Sequence, residues 1–387
     1  MIEPKEKSIS QRPGGSSPGL VGPEKAAPGL NPAEALVGKP PRRVSPIVLG
    51  LILGALLIAV ALISLSSGHM PFTSREIFDI LIGWVTGAEI DLPESRIMAL
   101  VEVRLPRLMT ALMVGAALGL AGSVYQGLLL NPLADPYTLG VSSGAAFGAS
   151  LVLMASLFVP REIFVFSPLY PALGAFLAST LTLFLVIALA SDSDKRLSPT
   201  SLILSGVILS AILSAGLSFI KYLAGDQVSS IVFWLLGSFQ AQTWTNFLLV
   251  FGLFVPAFLI CLASATDLNV MTLGFKSAET LGVNTRKVRL ILLAAASMVA
   301  SASVAVAGII GFVGLIVPHL VRLVTGPDHR SLLPLSTLGG ALLLLAADTL
   351  VRAYLPGEIP VGVLTALLAG PAFLVIFRRK MKELIQT

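Results

Sequence analysis

The chain has 387 residues, 55% of them hydrophobic and only 12% charged, with a mean hydropathy of +0.90. A soluble globular domain carries about 25% charged residues, so this composition excludes an ordinary soluble fold and predicts an all-α polytopic membrane protein. The net charge of +5 requires no nucleic-acid partner, because basic excess in a membrane protein marks its cytoplasmic loops. The single cysteine, Cys261, can form neither an intrachain disulfide nor a cysteine metal cluster.

Residues 1–45 are rich in Pro, Gly and Ser, have no apolar period and cannot bury enough surface to fold; they predict a disordered cytoplasmic tail. Lys39, Arg42 and Arg43 stand directly before the first apolar run and hold that tail inside. Residues 46–387 form the membrane domain. About 20 apolar residues cross a bilayer, and the runs at 46–66, 106–129, 138–158, 168–190, 199–222, 244–265, 288–310, 312–325, 332–353 and 361–378 predict ten spans, with both termini cytoplasmic. The eighth run is short and contains Pro318, which predicts a broken or tilted helix. A further apolar piece, 230–238, predicts a partial helix. With this topology, counted from Lys39 onward, fifteen Lys and Arg fall on the inside and seven on the outside, as the positive-inside rule requires. Gly115 and Gly119, and Gly140, Gly144 and Gly148, carry the small-xxx-small spacing that lets helix backbones approach closely in lipid.

Between the sixth and seventh spans lies "GFKSAETLGVNTRKVR", Gly274 to Arg289. Phe275, Ala278 and Leu281 recur at i, i+3 and i+6 on one side of a short helix, while Lys276, Glu279 and Thr280 point elsewhere. Gly282 suits a left-handed helix stop. A polar helix on the cytoplasmic surface with an apolar stripe fits a groove on a partner. The chain has no GxxxxGK[ST] phosphate loop, so any ATP used in transport is hydrolysed by another polypeptide.

Two long stretches, "RLPRLMTALMVGAALGLAGSVYQGLLLNPLADPYTLGVSSGAAFG" (Arg104 to Gly148) and "GFVGLIVPHLVRLVTGPDHRSLLPLSTLGGALLLLAADTL" (Gly311 to Leu350), resemble the signatures of the permease subunits of ABC importers for iron-siderophore, haem and cobalamin. "GEIPVGVLTALLAGPAFLVIF" (Gly357 to Phe377) is similar to a third. The resemblance runs from about residue 46 to the C-terminus. It implies a homodimer of ten-span, type II importer permeases in the plasma (inner) membrane. Two ATPase subunits bind below, and an extracytoplasmic binding protein docks above. The chain itself then binds no metal or cofactor and has no catalytic residue, since ATP and magnesium belong to the ATPase.

The resemblance also assigns roles. The segment with Phe275, Lys276, Ala278, Glu279, Leu281 and Gly282 becomes the helix that couples to the ATPase. Arg104 and Arg107, three residues apart at the outer boundary, and Arg352 become contacts for acidic residues of the binding protein. The translocation path falls to the fifth and tenth spans, with Pro199, Thr200, Ser201 and Ser205 near the gate. Asn131 and Pro132 open a helix-breaking stretch that lines or braces that path. The implied cargo is a ferric siderophore or haem, with cobalamin as the alternative. A proton-coupled secondary transporter would instead use the membrane-depth ionisable groups His319, Asp348 and Glu358. "GVSSG" at Gly140 matches a nucleophile-elbow pattern but lacks the strand-turn-helix context and the partners that chemistry needs.

Overall fold

The computed structural model describes residues 44–68, 70–158, 169–191, 197–355 and 359–386. Glu358, His69 and the whole tail up to residue 43 lie outside the described residues. Each of the ten expected spans corresponds to a helix: α1 (Pro46–Ser66), α4 (Leu105–Leu128), α5 (Val141–Phe158), α6 (Leu169–Ala190), α7 (Pro199–Ala224), α9 (Trp244–Ala263), α12 (Thr285–Ala307), α13 (Val313–Thr325), α14 (His329–Tyr354) and α15 (Val361–Gln386). Shorter helices punctuate them: α2 (Ser74–Thr86), α3 (Glu94–Met98), α8 (Val228–Leu235), α10 (Ala265–Met271) and α11 (Phe275–Thr280). Among the described residues, seven helices are long and apolar enough to cross a membrane, and three apolar helices are shorter. The partial helix expected at 230–238 is α8.

Small residues decide which helices sit at the centre. On α4, a Cβ on Gly115 would lie 2.3 Å from the Gly340 carbonyl oxygen, one on Gly119 2.1 Å from that of Ser336, and one on Gly122 1.8 Å from that of Gly314. Backbones of α4, α13 and α14 therefore touch directly, the arrangement the small-residue spacing predicts. The Gly144–Gly148 pair does the same for α5 and α6: a Cβ on Gly148 would lie 2.2 Å from the Gly174 carbonyl oxygen. By contrast α1 is apolar on all sides, mostly exposed, and packs on α14 at the periphery. An all-apolar helix with little protein contact is stable only where lipid replaces water around it.

The eighth span is a 13-residue helix, α13, with Pro318 inside it. Its start is a sharp break: Gly308 has φ 72 and Phe312 φ 69. Gly308 is needed there because a Cβ would meet the Trp234 carbonyl oxygen at 2.4 Å. The stretch "NPLADPYTLG" also dips into protein. Asp135 accepts from the backbone N–H of Tyr137 and Thr138 at 3.1 and 2.9 Å, which starts a 3-10 turn at Pro136–Leu139. The Tyr137 hydroxyl donates to the Ile310 carbonyl at 2.7 Å. Irregular backbone is tolerated at such depth because its polar groups find protein partners.

If α4 and α14 depend on backbone contact, any side chain at Gly340 forces them apart, since its Cβ would lie 2.2 Å from the Gly115 carbonyl oxygen. Gly340→Val is expected to destabilise the protein by about 2 kcal/mol or more. Gly54→Ala on α1, where a Cβ meets nothing within 4 Å, is expected to change stability by less than about 0.5 kcal/mol. Thermal unfolding of both variants in detergent checks the contrast.

Candidate functional site

Polar hydroxyls and amides such as Ser123, Gln126 and Ser297 are buried within the bundle, but the described charged side chains fall mainly at its two ends. At the end where α1 finishes, three arginines hold the turn between α1 and α2. Arg104 donates to the carbonyl oxygens of Leu65 and Met70. Arg352 donates to the Ser67 carbonyl at 2.9 Å, to the Ser64 hydroxyl at 3.0 Å, and to the Ser64 carbonyl. Gly68, with φ 125, sits under both guanidinium groups; a Cβ there would lie 3.0 Å from Arg352 Nη1 and 3.3 Å from Arg104 Nη2. Carbonyl oxygens accept these protons without cancelling the positive charge, so this end keeps a basic character. Phe72 supports the cluster, with the Arg104 and Arg96 guanidinium carbons 4.6 and 4.7 Å from its ring centroid, a favourable cation–π distance.

Arg96 was not among the expected site residues. It pairs with Glu76 at 2.9 Å, and Glu76 also takes the backbone N–H of Thr73 at 2.8 Å. That backbone bond, the Thr73 hydroxyl and then Arg96 hold the Glu76 carboxyl below its usual range. Its signal was present in the sequence: "TSRE", Thr73 to Glu76, is a capping box.

Arg107 departs from the expected exposed position. Its Nη2 lies 2.9 Å from Asp348 Oδ1 and its Nε 3.1 Å from Oδ2, with side-chain exposures of 12% and 2%. The π-helical turn Ala99–Arg104 and Pro106 precede it, and α14 packs against this part of α4. Arg107 therefore ties α4 to α14 inside the bundle, while Arg104 faces the turn at 64–70. Asp348 joins this end through Arg107, one helical turn before Arg352 on α14. His319 is buried with its ring edge-on to Phe373 at 6.2 Å between centroids.

At the opposite end stands α11. It closes as a Schellman stop: the N–H of Gly282 (φ 89) bonds to the Glu279 carbonyl at 3.0 Å and that of Val283 to the Ala278 carbonyl at 3.0 Å. The expected apolar stripe divides in two. Ala278 is fully buried and Phe275 half-buried against the chain itself, whereas Leu281 is 65% exposed. Phe275 turns inward because Arg289 of α12 lies over its ring, 3.8 Å from guanidinium carbon to centroid. The outward face is thus Lys276, Ser277, Glu279, Thr280 and Leu281, with Leu273 beside it. Nearby, Asn269 of α10 donates to Asp328 at 2.7 Å and accepts from the His329 backbone N–H at 2.9 Å. This joint was missed, although Asp328 in "GPDHRS" is a readable helix cap.

The α7 residues fall on a largely exposed helix. Ser198 caps it by accepting from the Ser201 N–H at 3.0 Å. Pro199 occupies its first turn, Thr200 is exposed, and Ser201 and Ser205 are half-buried. Gly206 packs on the loop backbone, where a Cβ would meet the Thr138 carbonyl oxygen at 2.6 Å. Asn131 uses its side chain locally, accepting from the Leu133 N–H at 2.9 Å, and Pro132 is half-buried beside it. A cavity of about 310 Å³, between α5, α6, α8, α9 and α12, is lined by Trp234, Gln240, Gln242 and Asn246 among apolar residues, with no charged side chain. Gln242 is fixed there by the Val306 carbonyl at 3.1 Å and by Asn246 at 3.0 Å.

Removing one member of a buried ion pair strands the other, at a cost of about 3–5 kcal/mol. Asp348→Asn is therefore expected to lower the unfolding midpoint in detergent markedly. Arg107→Met combined with Asp348→Leu is expected to recover most of that loss, because neither charge is then buried.

Three comparisons place this geometry among known proteins. The chain is 37% identical to the hemin transport system permease protein HmuU of Yersinia pestis, over 86% of this chain and 97% of that protein. It is 39% identical to the cobalamin import system permease protein BtuC of Halobacterium salinarum, over 81% of this chain and 80% of that protein. A solved inward-facing conformation of a metal-chelate type ABC transporter superposes with a TM-score of 0.73 at 37% identity, covering 87% of this chain and all of that one. Residues 56–379 match the FecCD transport family. On these grounds the chain is a multi-pass ABC transporter permease and belongs to the FecCD transport family.

Proposed function

We propose that the chain is the membrane subunit of an ATP-driven importer that carries an iron complex, a ferric siderophore or haem, across the plasma membrane. The observation that carries this reading is the separation of two polar ends by an apolar, small-residue-packed bundle: a basic cluster around Arg104 and Arg352 at one end, and α11 at the other. The hemin permease, matched along 97% of its length, supports the cargo class. The 39% identity to a cobalamin permease keeps cobalamin as the second reading.

The α11 end lies in the cytoplasm with both termini, since the basic residues concentrate there. Two ATPase subunits bind at this end, and the outward face of α11, with Leu281 and Leu273, enters a groove on each. ATP and magnesium stay on those subunits. The arginine end faces outward and receives a binding protein, whose carboxylates meet Arg104 and Arg352. Arg107 supports that surface from below through Asp348. A second copy of the chain covers the exposed face of α7, where Val207, Ile208 and Ile212 are more than half exposed. The cargo moves along the dimer axis past α7 and α15, by alternating access. The half-buried Ser201 and Ser205 offer hydroxyls along that path, Pro199 and Thr200 stand at its cytoplasmic start, and the loop from Asn131 and Pro132 braces α7.

Proteoliposomes containing the permease, its ATPase and its binding protein test this reading. Ferric siderophore, haem and cobalamin are offered in parallel, with and without ATP. ATP-dependent uptake of an iron complex is expected. Uptake of cobalamin alone would replace the cargo. Uptake driven by a proton gradient without ATP would overturn the mechanism.

A further inference from the structure

Arg289 is a cation in the wrong kind of place. It is 5% exposed, its Nε has no hydrogen-bond partner, and among the described residues it makes no salt bridge. Its counterpart is the face of Phe275, with the guanidinium carbon 3.8 Å from the ring centroid. Desolvation strengthens such a contact. Burial makes a cation costly unless something repays its lost hydration; besides the ring, the Glu279 carboxylate of α11 also acts favourably on this charge.

The two sides of α11 are built differently. Towards α12, three features join them: the Arg289–Phe275 stack, a hydrogen bond of 2.7 Å from the Thr285 hydroxyl to Glu279 Oε1, and the Schellman stop, which buries the Ala278 carbonyl on the Val283 N–H. Towards α10, the two short helices pack on each other, with Ala278 in the same buried cluster as Leu268 and Met271, but the chain between them passes through Gly274. This glycine has φ 105, its own Cβ position meets only a distant Ser277 hydroxyl at 3.9 Å, and α11 has no side-chain cap there. A glycine in that region with open space around it is free to turn. Beyond the clamp, α12 is largely buried and packs on α4, α6 and α9.

We infer that Arg289 and Phe275 are positioning residues that lock α11 to α12, so that displacement of α11 moves α12 as one body and swivels at Gly274. This deepens the proposed function and rests on α11 being the surface that meets the ATPase. Neither residue touches cargo or nucleotide. Both faces of the lock are turned away from the outward side of α11, so loss of the lock affects transmission rather than ATPase binding.

The test uses the full complex in proteoliposomes with Phe275→Leu, Arg289→Gln and Arg289→Lys. Cargo taken up per ATP hydrolysed is expected to fall roughly three- to ten-fold in the first two, as loss of a desolvated cation–π contact allows. Arg289→Lys, which keeps a cation over the ring, is expected to restore part of it. Affinity of the permease for its ATPase is expected to stay within about two-fold. Spin labels at Ser277→Cys and Lys287→Cys, in a Cys261→Ser background, supply a second reading: one narrow distance in the parent, a broad distribution in Arg289→Gln. Wild-type cargo per ATP together with an unchanged distance distribution would overturn the lock. A parent complex with no ATP-driven uptake would instead remove the proposed function, while the spin-label distances would still report whether α11 and α12 move as one body.

Discussion

Gly115 and Gly340 place two helix backbones within van der Waals reach, and most of the architecture follows from that contact. Lipid offers no hydrophobic reward for bringing two apolar helices together. Association needs dense packing, and glycines supply it by letting one backbone rest on another's carbonyls. Once α4 and α14 are joined in this way, Arg107 and Asp348 come within ion-pair distance. Arg104 and Arg352 then meet over the same turn at residues 64–70. The basic end is thus a product of the packing, not an independent device.

The same constraint explains where polar chemistry is absent. A charge at membrane depth must be paired or serve a purpose. Here Asp348 is paired with Arg107, whereas Arg289, near the start of α12 beside the surface helix α11, is covered by an aromatic face. Free charge is pushed to the two ends. The chain has charged surfaces at both ends and a packed bundle between them, an arrangement that supports the proposal of a membrane subunit moved by its partners. The α13 break at Gly308–Phe312 and the glycine joint before α11 supply places where such a bundle can bend.

Much of this was readable from residues. The ten apolar runs became ten helices because span length and hydropathy are direct consequences of bilayer thickness. The Gly115 and Gly144 spacings marked real contacts, although spacing alone could not say which helix would be the partner. Gly282 ended α11 as its conformational freedom suggested. The failures share a cause: they depended on what lay opposite. Arg107 looked like a boundary residue until α14 brought Asp348 to it. Phe275 and Ala278 read as a stripe for a partner, but the chain used them itself, because Arg289 from the next helix lies over that ring. Asn269 was unremarkable in sequence and acquires a role only beside Asp328 and His329. The tail up to residue 43 and Glu358 lie outside the described residues.

The central claim is that the two polar ends serve different partners, with α11 facing the ATPase. Site-specific cross-linking tests it directly. In a Cys261→Ser background, a single cysteine carrying a short photoactivatable cross-linker is placed either at Leu281, 65% exposed, or at Val85 on α2, 77% exposed. Leu281→Cys is expected to cross-link to the ATPase subunit and Val85→Cys is not. Cross-linking of the ATPase from Val85→Cys, or none from Leu281→Cys in a complex that binds and hydrolyses ATP, would contradict the account.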